Sequence, residues 1–176
     1  MGERFWDALS EFIILLIIAF VLALGIRTAV AEVRWVPTGS MEPTIMAGDR
    51  LFTIKLLYYF KEPARGDIVV FHVPESVQQE PDMPPFVKRV IGLPGETVEV
   101  RDGKVYIDGK EYKVENARVP QYAYGPVEVE KGKLFVLGDN RNASLDSHEW
   151  GLLPEENVIA KAVYVIWPLN HIGVLD

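Results

Sequence analysis

Three short polar constellations carry the chemistry open to this sequence. The first is Ser40, set in Pro37-Thr38-Gly39-Ser40-Met41-Glu42-Pro43-Thr44. A serine hydroxyl is a weak nucleophile until a neighbouring base takes its proton. Histidine is the usual base, and lysine does the same work where an apolar site or nearby positive charge keeps its amine neutral. Lys88 is the candidate. In Phe86-Val87-Lys88-Arg89-Val90-Ile91 the strand period puts Phe86, Lys88 and Val90 on one face, and Arg89 brings a cation close by. A lysine in a strand is more often solvated, so this hexapeptide alone does not make a base. The third constellation runs from Gly138 to Gly151 through Asp139, Asn140, Arg141, Ser144, Asp146, Ser147 and His148. Such a loop either faces water or folds inward between its glycines and supplies hydroxyl and carboxylate partners to a neutral lysine. Asn142-Ala143-Ser144 has the form of a glycosylation sequon and Arg65-Gly66-Asp67 that of a cell-adhesion tripeptide. Both read as chance matches, the second simply as a turn into a strand.

Composition removes other chemistries. Cysteine is absent, so there are no disulfides, thiol nucleophiles or cysteine-bound zinc. His72, His148 and His171 are too far apart for a His-Glu-x-x-His metal motif, and neither metal nor cofactor is expected. A formal charge of -7 offers no basic stripe, which argues against a nucleic-acid partner.

The elements that must position these groups begin with an apolar run. Residues 12–31, broken only by Gly25, Arg27 and Thr28, are 20 in number, enough for a helix to cross a hydrocarbon core of about 30 Å. The expected organisation is a short cytoplasmic segment (1–11), a transmembrane anchor (12–31) and an extracytoplasmic β-rich domain (32–176). Alternatively the run is a cleavable signal peptide ending at Ala29-Val30-Ala31, but the flank carries Glu3, Asp7 and Glu11 where such signals begin positively charged. Arg27 near the end of the run and Arg34 after it outnumber Arg4 before it, which read literally puts the C-terminal side in the cytoplasm. That count is small and large domains translocate largely regardless of charge, so it does not fix the orientation. Ser40 follows the run by nine residues, a reach of at most roughly 30 Å, so its target must approach the membrane surface. The remainder reads as mainly β and antiparallel. Thr97 to Val114 is a three-stranded meander turned by Asp102-Gly103 and Asp108-Gly109, and further strands are expected at Arg50–Ile54, Asp67–Val73, Phe86–Ile91, Leu134–Leu137 and Val158–Trp167. Pro74 to Pro85 is a proline-rich surface loop between two of them.

Taken in order, the segments Pro37 to Thr44, Arg65 to Phe71, Lys88 to Gly95, and Gly138 to Arg141 with Ser144 and Asp146-Ser147 resemble the type I signal peptidase family. These are bacterial and organellar enzymes that remove signal peptides from exported proteins. The resemblance implies a largely antiparallel β fold, a single-pass anchor in the cytoplasmic (inner) membrane with the catalytic domain on its outer side, and the protein-export translocon as a neighbour. It makes Ser40 similar to the acylating nucleophile and Lys88 to its general base, with the Ser40 backbone N–H and the Thr38 hydroxyl holding the oxyanion. Ser144 matches the hydroxyl that orients the lysine, and Asp139 and Asp146 match acidic residues of the same loop. Asp139 is then the expected ion-pair partner of Arg89, which leaves burial to lower the Lys88 pKa. His148 stands where many members have arginine, and its contact with Asp146 would depend on pH. Thr38 stands where some have serine.

Signal peptides present small side chains before the cut, and the family reads them with shallow apolar pockets beside a strand. Val36, Met41, Ile45, Phe86 and Val87 are the candidates for those pockets, ordinary core being the competing assignment for each. Leu51 to Phe60 belongs either to the membrane interface or to a core strand. Ala29-Val30-Ala31 is itself a small-x-small site, which predicts slow cleavage after Ala31 between molecules. Two alternatives stay open: an inert membrane-tethered β binding module, and a self-cleaving repressor-type serine-lysine protease, which would need a DNA-binding module.

Overall fold

The structure is a computed structural model that describes Trp6 and residues 11–20, 30–75, 77–78 and 83–175. Among the described residues, twelve strands form two antiparallel sheets: β1 (Ala31–Trp35), β2 (Arg50–Ile54), β3 (Ile68–Phe71), β4 (Phe86–Gly92), β5 (Thr97–Arg101), β6 (Lys104–Ile107), β7 (Lys110–Tyr112), β8 (Tyr124–Glu128), β9 (Lys133–Leu137), β10 (Leu153–Pro154), β11 (Val158–Trp167) and β12 (Gly173–Val174). The larger sheet has the order β1-β2-β11-β3-β4-β9-β10, with β12 also on β11, and the smaller is β7-β6-β5-β8.

The smaller sheet follows directly from its turns. Asp102-Gly103 and Asp108-Gly109 all take positive φ, the geometry whose twist matches a two-residue hairpin. Val98, Val100, Val105 and Ile107 turn inward and pack with Ile91, Phe135 and Leu137 of the larger sheet, which joins the two sheets through one apolar layer. In the larger sheet β3 is buried along its whole length. Ile68 joins a cluster with Met41, Ile45, Leu51 and Val165, while Val69 and Phe71 join another with Val90, Leu134 and Val136. A strand buried on both faces reads as a continuous apolar run, as Ile-Val-Val-Phe does.

The apolar run differs from expectation at its end. Ala31 opens β1 and lies opposite Ile54, and the Val30 carbonyl accepts from the Lys55 amide at 2.9 Å, so the chain is already in the sheet where the helix was expected to end. Residues 11–20 are helical with exposed apolar side chains, and 21–29 lie outside the described residues. Among the described residues no helix is long and apolar enough to cross a membrane. The Ala31–Glu32 bond sits within β1, so cleavage there requires unpairing the strand, which counts against the expected self-processing. Leu51 to Phe60 divides: Leu51 and Thr53 are buried on β2, whereas Tyr59 and Phe60, at the end of a short 3-10 turn, are 80% and 79% exposed.

Candidate active site

Ser40 lies on the loop that leaves β1. Glu42 N–H donates to the Gly39 carbonyl at 3.1 Å and Ile45 N–H to the Met41 carbonyl at 3.0 Å, giving a helical turn immediately after the serine. Met41 and Ile45, four residues apart on that turn, are buried against Leu51, Ile68 and Val165 and anchor the loop to the sheet. Lys88 comes from β4, opposite Val69 of β3. Its Nζ lies 2.7 Å from Ser40 Oγ, and it donates to the Val87 carbonyl at 3.1 Å. The Phe86 ring centroid is 5.2 Å from the amine. Lys88 is only 3% exposed. Burial penalises the ammonium and pushes its pKa down to about 8, against a smaller upward pull from the Asp146 and Asp139 carboxylates.

The polar loop folds inward. The Asp139 carboxylate, fully buried, accepts from Arg89 Nε at 2.9 Å and from Arg89 Nη2 at 2.8 Å, and Thr44 donates its hydroxyl proton to the same carboxylate at 2.6 Å. Asp139 thereby joins β4 to the loop that carries Ser40. Asn140 adds two ties, its backbone N–H donating to the Ser40 carbonyl at 3.1 Å and its Nδ2 to the Gly39 carbonyl at 2.9 Å. Such close approach is possible because residue 138 is glycine: a Cβ there would overlap Ser144 Oγ and the Ser40 carbonyl. Asp146 accepts from the Gly138 N–H at 2.8 Å and contacts His148 Nδ1 at 2.7 Å. That hydrogen bond raises the His148 pKa above its ordinary value against partial burial, and the imidazole stacks on Tyr122 with centroids 4.1 Å apart.

An open cleft of about 670 Å³ leads to the serine and lysine. Val36, Met41, Phe86 and Val87 line it, as do Thr38 and, beyond the residues singled out from the sequence, Arg34, Trp35, Ala143 and Leu145. Ile45 does not line it, because the turn after Ser40 carries this side chain into the core. Ser144 Oγ is buried beside Gly138 without a hydrogen-bond partner, so the expected bond between this hydroxyl and the Lys88 amine is not formed in the structure. Thr44 and Asn140, which tie the serine loop down, have no local sequence signal that distinguishes them from other loop polars.

Residues 9–167 match the family described as signal peptidase, peptidase S26. Signal peptidase I of Leptolyngbya laminosa is 50% identical over 161 residues, covering 90% of this chain and 79% of that protein. A probable signal peptidase I-1 of Synechocystis sp. is 49% identical over 173 residues, covering 97% and 88%. The chain therefore belongs to the signal peptidase family, peptidase S26, and is a peptide-bond hydrolase. Among solved structures, a signal peptidase I from Enterococcus faecalis V583 is 33% identical with a TM-score of 0.47, covering 57% of this chain and 97% of that one.

Proposed function

We propose that this protein is a membrane-anchored serine endopeptidase that removes signal peptides from exported preproteins, with Ser40 as nucleophile and Lys88 as general base. The observation that carries this is a serine hydroxyl 2.7 Å from the amine of a buried lysine at the edge of an open cleft. In its neutral form Lys88 takes the Ser40 proton as Oγ attacks the scissile carbonyl, and the ammonium so formed gives that proton to the leaving amine. The acyl group stays on Ser40 until water, deprotonated by the same lysine, hydrolyses the ester. Asp139 and Asp146 favour the transient ammonium, while burial keeps it from being the resting form at alkaline pH. The oxyanion is held by the Ser40 N–H and the Thr38 hydroxyl, a pair whose loss of one donor typically costs about 3 kcal/mol.

The substrate lies along β1, an edge strand of the larger sheet, with Met41 and Phe86 bordering the small residue at the cut and Val36 and Val87 the small residue two before it. Residues further upstream point toward the start of β1, because that end joins the apolar run and the signal peptide's own apolar segment shares the membrane with it. Membrane contact is further supported by the outer face of β1, β2, β11 and β12. Val33, Phe52, Tyr164 and Val174 pair in one row across it and Trp35 and Trp167 flank Arg50 in the next, with Trp35 65% and Trp167 49% exposed. Lipid at the outer face of the cytoplasmic membrane and the export translocon are the neighbours this placement implies. Incubating the purified protein in detergent with a preprotein and mapping the cut by mass spectrometry tests the function. Cleavage directly after a small-x-small site, absent with Ser40→Ala, is expected; cleavage retained by that variant refutes it.

A further inference from the structure

The cleft has a charged stretch that the chemistry above leaves unused. Glu32 and Arg34 lie opposite Thr53 and Leu51, both fully buried, whereas the intervening Val33 and neighbouring Trp35 stand 50% and 65% exposed. Because side chains alternate along a strand, Glu32, Arg34 and Val36 form the inward row of β1; they line the cleft with Ser40 and Lys88, and Val33 and Trp35 of the outward row border it too. Charge on the inward row of a mostly apolar cleft is costly unless it is matched. Glu32 is matched twice, by Lys55 Nζ at 2.6 Å and Arg34 Nη2 at 3.0 Å. Lys55 is the larger cause holding its carboxyl below the usual carboxylate range. Arg34 is matched only in part. One carboxylate shared by two cations leaves a positive charge over, and Arg34 Nε is buried without a hydrogen-bond partner. A partly exposed guanidinium on the cleft wall, not fully used by its one carboxylate, is suited to a planar carboxylate or another oxygen acceptor.

We propose that Arg34 is a specificity-determining residue, reading an oxygen-bearing and preferably acidic substrate side chain two residues ahead of the first small residue of the small-x-small element. This rests on the peptidase function and substrate direction proposed above. Side chains on one face of a strand recur every second residue, about 6.6 to 6.8 Å apart, so the step from Val36 to Arg34 along β1 is a step of two residues along a peptide lying beside it. Glu32, itself held by Lys55, keeps the guanidinium in place, and the surplus positive charge disfavours a basic side chain at the same position.

Three preprotein substrates that differ only there, bearing Asp, Ala or Lys, test it by kcat/KM at low ionic strength. Wild-type enzyme should prefer Asp over Lys by on the order of five- to tenfold, expressed in KM, as for a partly exposed ion pair. Arg34→Leu should bring the ratio to about one and Arg34→Glu should reverse it, following the sign of the charge. Arg34→Lys, which keeps the charge without the fork, should retain an intermediate preference. No preference in the wild type, or the same ratio in wild type and Arg34→Leu, overturns the assignment. Wild-type enzyme that cuts none of the three substrates overturns the peptidase function along with it.

Discussion

Replacing Lys88 by methionine removes a charge from a site only 3% exposed while nearly preserving side-chain shape, and it separates what this lysine does for the reaction from what it costs the fold. Burial lowers its pKa from 10.5 to about 8. At pH 7 about one-tenth of the folded molecules then carry the neutral amine, against roughly three in ten thousand for an unperturbed lysine. For the wild type, kcat/KM should rise tenfold per pH unit below about 8 and level off above it. The same shift fixes a stability dependence. Between pH 8 and 10.5 the unfolded chain holds more protons than the folded one, so stability rises with pH across that window and the full penalty applies below it. That penalty is about 3 kcal/mol. The variant also leaves the Val87 carbonyl without its 3.1 Å donor, a loss of about 1 kcal/mol. Lys88→Met should therefore be inactive yet more stable than wild type at pH 7 by about 2 kcal/mol, an advantage that fades by pH 10.5. Urea unfolding across that pH range, alongside the wild-type rate profile, measures both. A rising limb near pH 10.5, or a variant less stable than wild type at pH 7, would refute the claim that burial tunes this amine.

Other outcomes follow from the inward-folded loop. Asp139→Ala removes the buried carboxylate that pairs with Arg89, and urea unfolding should show a loss of about 3 to 5 kcal/mol. Gly138→Ala forces Ser144 and the Ser40 carbonyl aside, so kcat should fall by at least about tenfold, as for a misplaced nucleophile, while circular dichroism stays native. The raised pKa of His148 means that its contact with Asp146 stabilises the fold fully below the ordinary histidine value and is lost as pH rises through the folded value. The Tm difference between wild type and His148→Gln should accordingly be larger at pH 5.5 than at pH 8.5, and equal differences would show that the contact is not ionic.

Much of the fold was legible because its signals are local. The two Asp-Gly turns fix the small sheet, and β2 and β11 begin and end where their β-branched and aromatic runs do. β1 was missed because Ala31, its first residue, also closes the apolar run and no Gly or Pro separates the two, so nothing local marked where a helix stops and the short Glu-Val-Arg-Trp strand begins. β8 was missed because Tyr-Gly-Pro-Val-Glu places glycine and proline inside a strand that pairs with β5 at the edge of its sheet. In the site, the motifs around Ser40 and Lys88 were visible, but their meeting depends on how β1 and β4 are spaced across the sheet, which no local pattern encodes. The course of the turn after Ser40 is likewise tertiary, and it decides that Met41 lines the cleft while Ile45 does not.

The pairing of Ser40 with Lys88 is tested most directly by labelling with a serine-acylating probe at pH 9, followed by intact-mass measurement and peptide mapping. One acyl group on Ser40, absent from Ser40→Ala and formed far more slowly in Lys88→Ala, is the expected result. Acylation of another serine, or labelling of Lys88→Ala at the wild-type rate, would contradict the assignment of a lysine-activated serine.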